Sequence, residues 1–493
     1  EVGAWLEELA GERRDELAEL LAHHFGRAAA GEGAELAWPE PADRERVRAA
    51  AFAHLLRAGA VARRVAVAKA VELHEQARTL AGGDRERLLA LEELGDDHES
   101  AYHGEQAVAW WLQALDIARS GGPGRSGDRA RLCRKVAWLM ASTPGAFRVN
   151  PEPAAVEQFV AEGLAAATDE ASRAWMLVAR GMTAQLWRGS EPFGQGRQPD
   201  PVPIAERVAD IERALAVGRA TGLPDLLEAA DQALSILYGI AGRYDEVLAR
   251  ARRRLDRLAQ AKSRLEQADI LRKAAVSTIN IAGAFHEGMA LARRCHELSA
   301  GTNPHQLMHA TWPLLAALYH LGRWEEALVV ADEHLAAFRR DPAAGCSFVR
   351  DGPVIGATVL AHRGELDRAR ELAAVVGDPA ADLDTASAWQ ARFATASGDP
   401  ATARRISASR AGTSWPNRGD RCARCSISAS AAAGWSSPAA GSCGTKALTI
   451  PSSILVRAAE VIERRAGGSR RRRPSPRRPG SRARSAACRR ARP

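Results

Sequence analysis

From Glu1 to about Arg404, apolar residues recur three and four positions apart in a background of Ala, Leu, Glu and Arg, as in VGAWLEELAGERRDELAELLAHHF (Val2 to Phe25). That period puts the apolar side chains on one stripe of a helix, so the pattern predicts amphipathic helices. The strict alternation of a half-buried strand is almost absent. Turn-rich breaks interrupt the periodicity at Gly31 to Arg44, Ser120 to Asp128, Ser190 to Pro203 and around Pro304. An all-α region punctuated by short connections is expected.

Within it one pattern repeats. LYHLGRWEEALVVADEHLAAF (Leu318 to Phe338) contains a twelve-residue window, His320 to Ala331, with Gly third, a bulky residue fifth and small residues eighth and twelfth. Windows starting at Ile240, Ile281 and His362 satisfy the pattern closely, and the one at Ala396 loosely. The window glycines are Gly242, Gly283, Gly322, Gly364 and Gly398, which step by 41, 39, 42 and 34 residues. One helical hairpin fits each step. Weaker copies without the glycine centre on Ala70/His74/Ala77 and Ala107/Trp111/Ala114.

Gly is the residue that turns tightly between antiparallel helices, because it adopts φ > 0 without a steric cost. Tyr244, Phe285, Trp324 and Leu366 would then plug the hairpin core, while Ala327, Ala331 and Ala369 offer smooth faces for close helix approach. A hairpin cannot bury its own stripe, so hairpins are expected to stack into a solenoid.

These windows resemble tetratricopeptide (TPR) repeats, in which Gly, an aromatic residue and two small residues recur in this order; here they are Gly322, Trp324, Ala327 and Ala331. The resemblance implies a TPR-like α-solenoid whose concave surface binds a protein, a peptide or a neighbouring domain of the same parent. It covers the second helix of each hairpin better than the first. The order of elements is also similar to the C-terminal half of large bacterial regulators, in which an AAA/STAND-type ATPase accompanies a class III nucleotide cyclase or a LuxR-type DNA-binding domain. That likeness implies a sensor or interaction region, with ATP bound by the parent and no cofactor in these residues. The alternatives are a fragment of an adenylate or guanylate cyclase and a fragment of a DNA-binding transcriptional regulator. A start at Glu1 rather than Met suggests a cut end. The expected organisation is a helical junction over 1–44, repeats over 45–404 and a tail over 405–493.

Composition changes the picture mainly in that tail. Of 68 basic residues only five are lysines, a bias that fits a GC-rich genome better than selection for phosphate binding. Residues 401–493 hold 21 of the basic residues against Asp420, Glu460 and Glu463, so the first 400 are net acidic. From 405 onward there are two leucines, fifteen serines and no Phe or Tyr, too little apolar surface for a core. Two readings stand: a basic, disordered nucleic-acid-binding tail, or a change of reading frame after Arg404. Nucleic acid is a partner only under the first.

Candidate chemistry is thin. No apolar run of about 18 residues and no signal peptide is evident, so no membrane partner and a cytoplasmic location are expected. GPGRSG (Gly122 to Gly127) follows a helix rather than a strand and reads as a loop, and no P-loop is present. In HESAYH the second histidine stands five residues on, off the metal-facing side. His305 and His309, with Cys295 and His296 upstream, read as surface or helix-boundary residues. The C-x-x-C at Cys422 and Cys425 is isolated. His23, His24, Trp110 and Trp111 read as packing residues. The acid pairs Glu92/Glu93, Asp96/Asp97 and Glu325/Glu326 read as solvated faces. No catalytic, cofactor-binding or metal residue is expected.

Overall fold

The structure, a computed structural model, describes residues 2–30, 33–188, 200–261, 264–341, 347–377 and 387–413; all lie in one compact unit, Glu1–Ser428. Among the described residues every regular element is helical. α1 (Val2–Ala10), α2 (Ala18–Ala30) and the short α3 (Ala34–Ala37) precede the first long hairpin, α4 (Pro41–Ala62) with α5 (Val67–Leu80). Next come α6 (Asp84–Ser100) with α7 (Gly104–Ser120), α8 (Ser126–Ser142) with α9 (Pro153–Ala166), and α10 (Glu170–Met182), the short α11 (Ala184–Arg188) and α12 (Ile204–Thr221). The stack continues with α13 (Pro224–Ile240) and α14 (Tyr244–Asp256), α15 (Arg264–Asn280) and α16 (Phe285–Ser299), and α17 (Pro304–His320) and α18 (Trp324–Arg340). It ends with α19 (Ser347–His362) and α20 (Leu366–Ala374), then α21 (Ala388–Ala396) and α22 (Pro400–Thr413).

Local chemistry sets these boundaries. Pro41, Pro153, Pro224 and Pro304 begin helices, where the missing N–H costs nothing. Asn303 caps α17 by accepting from the Gln306 N–H at 2.9 Å, and Ser387 with Gln390 forms a capping box on α21. Gly242, Gly283, Gly322, Gly364 and Gly398 have φ of 71°, 65°, 69°, 84° and 84°. In four of these turns the residue after the glycine donates its N–H back five residues: Arg243 to Tyr238, Arg323 to Leu318, Glu365 to Leu360 and Asp399 to Ala394, at 2.8 to 3.0 Å. This is the Schellman closure, which satisfies carbonyls the helix end would leave open.

Each helix packs on its hairpin partner and on the next hairpin. The apolar core accordingly runs along the stack in successive clusters: Phe52, Leu55 and Leu73 first, then Leu88, Trp111 and Leu132, then Met176, Ile211 and Leu234, then Leu315, Val354 and Ile355. Such a stack is stabilised neighbour by neighbour. α17 is buried on nearly every side, from Met308 to Leu318, as befits a helix apolar all round. The packing of α18 on α19 uses small residues: Ala327 and Ala331 of α18 are fully buried, and a methyl group on Gly356 of α19 would sit 2.8 Å from the Ala331 Cβ.

A second device recurs. The Nε2–H of His74 donates to the Leu56 carbonyl at 3.1 Å, Nε1–H of Trp111 to the Glu92 carbonyl at 3.1 Å, and Nε2–H of His334 to the Val349 carbonyl at 2.8 Å. Three residues after each acceptor stands a glycine, Gly59, Gly95 or Gly352, on which a Cβ would overlap the ring. The glycine makes the space and the freed carbonyl side makes the hydrogen bond.

Several expectations need correction. Glu92, Asp96 and Asp97 are not a solvated face. Glu92 pairs with Arg131 and Lys135, Asp96 with Lys135, and Asp97, fully buried, accepts from His74 Nδ1 and Arg63 Nε, both at 2.6 Å. Glu325 and Glu326 are exposed. His23 is exposed and His24 half-buried, so neither packs in the core, whereas Trp111 is fully buried. The GPGRSG segment forms a 3-10 turn, Gly122–Arg125, running into α8. α4 passes without a break through residue 44, and α22 through residue 404. The rest of the tail, with Cys422 and Cys425, lies outside the described residues.

Candidate functional site

The inner face of the stack encloses a cavity of about 550 Å³, walled by residues from Glu99 on α6 to Phe348 on α19. Its size is that of a small-molecule site. The floor is apolar, with Trp138, Met182, Ile236, Val276 and Phe348. Gln232, Ser277 and Gln306 add side-chain polar atoms that have no hydrogen-bond partner among the described residues.

One wall is charged. Asp269 on α15 receives Arg272 at 2.6 Å, Lys273 at 2.9 Å and Arg254 of α14 at 3.3 Å. Burial pulls the Asp269 carboxyl upward, but Lys273, Arg272 and Arg254 together hold it well below the usual range. Burial brings the Lys273 ammonium down to about 8, and the neighbouring Arg254 and Arg272 work in the same direction against the attraction of Asp269. On α6, burial and then Asp96 push the Glu99 carboxyl up to about 7, and no hydrogen bond or ion pair holds its ionised form.

The cavity wall includes a contact between distant hairpins. Tyr102, in the α6–α7 turn, lays its ring 4.8 Å from that of His305 and 6.0 Å from that of His309 on α17. It has φ of 62°, and is the one non-glycine residue with positive φ among the described residues. An aromatic residue held there stores strain that its surroundings must offset. His305 and His309 lie at the start of α17, in keeping with the helix-boundary alternative, but are buried rather than on the surface, with Nε2 atoms 3.1 Å apart. Burial, with Arg272 adding, holds His305 down to about 4.

Among the described residues Cys295 and His296 do not join His305 and His309 in one cluster. Cys295 donates to the Ala268 carbonyl at 3.2 Å, and His296 pairs with Glu333 at 2.9 Å. Among the described residues no group of three His, Cys, Asp or Glu is placed to hold a metal ion. Burial raises the Cys133 and Cys295 thiols to about 12 and about 11, where they are poor nucleophiles. No described helix is long and apolar enough to cross a membrane.

Of the repeat positions, Tyr244, Val247 and Ala251, all of the window that starts at Ile240, reach the cavity wall. Phe285 stacks on His320 at 4.5 Å, Trp324 on His362 at 5.7 Å, and Leu366 packs beside the buried Ala369 and Leu360. They are hairpin parts. The sequence signal missed was charged chemistry on a first helix: Asp269, Arg272 and Lys273 within about one turn of α15 line the cavity, legible only once the stack is built. Compared with known protein families and with curated proteins, the chain matches none.

Proposed function

We propose that this chain is the non-catalytic recognition region of a larger bacterial signalling or transcriptional regulator, and that its enclosed concave face receives the molecule the regulator senses. The observation supporting this is the cavity: about 550 Å³, apolar at its floor, with spare polar atoms and a charged wall. Binding sites are commonly concave, largely apolar and marked by a few converging polar groups. A stack of hairpins is also suited to transmit occupancy, because each hairpin touches its neighbours. ATP, where the parent binds it, belongs to other domains in this reading.

The test is hydrogen exchange on the full chain, screened against a diverse set of peptides and small molecules. A true ligand is expected to protect Ser235 to Ile240 and Asp269 to Ser277. If nothing in the set alters exchange at that wall, the reading fails.

A further inference from the structure

We propose that the cavity binds a small amphiphilic organic anion, its carboxylate against Arg272 and Lys273 and its apolar body along Trp138, Ile236 and Phe348. This deepens, and rests on, the reading of the concave face as a recognition site. Three observations converge on it.

Charge comes first. Arg250, Arg254, Arg257, Arg272 and Lys273 are linked by ion pairs to only three carboxylates, Glu228, Asp231 and Asp269. Of the five, Arg254, Arg272 and Lys273 line the cavity and all converge on Asp269. Such a concentration of cations suits an anionic ligand.

Donor capacity is second. Arg272 has five N–H groups, and its one hydrogen bond among the described residues goes to Asp269. Lys273 likewise contacts Asp269 alone. Their side chains are only 14% and 24% exposed, so the remaining donors face the cavity rather than bulk water. Half-desolvated donors without acceptors bind a carboxylate strongly, because charge-assisted hydrogen bonds gain most where water is scarce.

Continuity is third. The Tyr102 ring against His305 and His309 joins the α6–α7 turn to α17, and Tyr102 and His309 both line the cavity. One continuous space of about 550 Å³ has the size of a small-molecule site.

The experiment is titration calorimetry on the full chain with octanoate, dodecanoate and indole-3-acetate, beside 1-dodecanol and a pentapeptide with a free C-terminus. At least one carboxylate is expected to bind at one site per chain, about tenfold or more tighter than the neutral alcohol. Lys273→Gln and Arg272→Gln should each weaken it about tenfold or more, with the helical circular dichroism retained. Since either may unsettle Asp269, Ser277→Phe provides a second route: it fills the cavity, leaves every ion pair in place and should abolish binding. Equal binding of acid and alcohol, or binding indifferent to Ser277→Phe, overturns the proposal. If the carboxylates fail while the peptide or a neutral compound binds and Ser277→Phe blocks it, the ligand class is wrong and the recognition site stands. If nothing binds and no screened compound protects the wall from exchange, both fall.

Discussion

Gly352 of α19 lies against the imidazole of His334 on α18, and only the absence of a side chain lets the ring reach the Val349 carbonyl at 2.8 Å. In a helix interior Gly→Ala normally stabilises, by roughly 0.5–1 kcal/mol. Here the added methyl would overlap a fully buried ring. Gly352→Ala should therefore destabilise by about 1–3 kcal/mol, while Gly26→Ala, with nothing within 4 Å, should raise the melting temperature. Thermal unfolding followed by circular dichroism decides, and a gain at both sites would discard the packing argument.

The hairpin turns make a separate prediction. At Gly322, φ of 69° excludes an ordinary L-residue in comfort although nothing crowds the site. Gly322→Ala should cost about 1–2 kcal/mol and Gly322→Asn less, since Asn tolerates the left-handed region better. Equal costs for the two would point to packing instead of backbone conformation.

Burial ranks the ion pairs. Asp97 is fully buried between His74 and Arg63, so Asp97→Ala strands two donors and should cost about 3–5 kcal/mol. Glu325 pairs with Arg363 at 2.7 Å but is 83% exposed, and Glu325→Ala should cost under about 1 kcal/mol. Urea midpoints of the two variants test the order.

Acid should weaken the fold. Burial holds His305, His320 and His334 down to about 4 against an ordinary 6.5, with Arg272 adding at His305 and Arg392 at His320. Between these values the unfolded chain binds the extra protons, so stability is full above about pH 6.5 and is lost as pH falls toward 4. Glu99 runs the other way: raised from 4.5 to about 7, it holds its proton longer in the folded state, and its contribution is lost as pH rises between those values. Three rings outweigh one carboxyl, so the melting temperature should climb from pH 4.5 to 6.5. Glu99→Gln should raise it further at pH 8 and leave it unchanged at pH 4. A Glu99→Gln gain confined to acid would contradict the assignment.

The stacked hairpins were legible because each level of local chemistry agreed: helical spacing, a turn glycine, small contact residues. The buried acids were not. Asp97 reads like any surface aspartate until Arg63, just past the end of α4, and His74 of α5 arrive from 34 and 23 residues upstream. The glycine-to-ring locks escaped for a similar reason, since Gly59 and His74 share no local pattern. The cavity was least legible, for its wall is gathered from hairpins as far apart as Glu99 and Phe348, and a repeat pattern describes neighbours only.

The Tyr102 contact with His305 joins positions about two hundred residues apart along the stack. An open array can gain or lose a hairpin and merely change length. This one cannot, because adding or deleting a repeat between α7 and α17 would carry Tyr102 past its partner; the contact fixes the number of repeats in the arc and makes the arc's distant ends answer to one another.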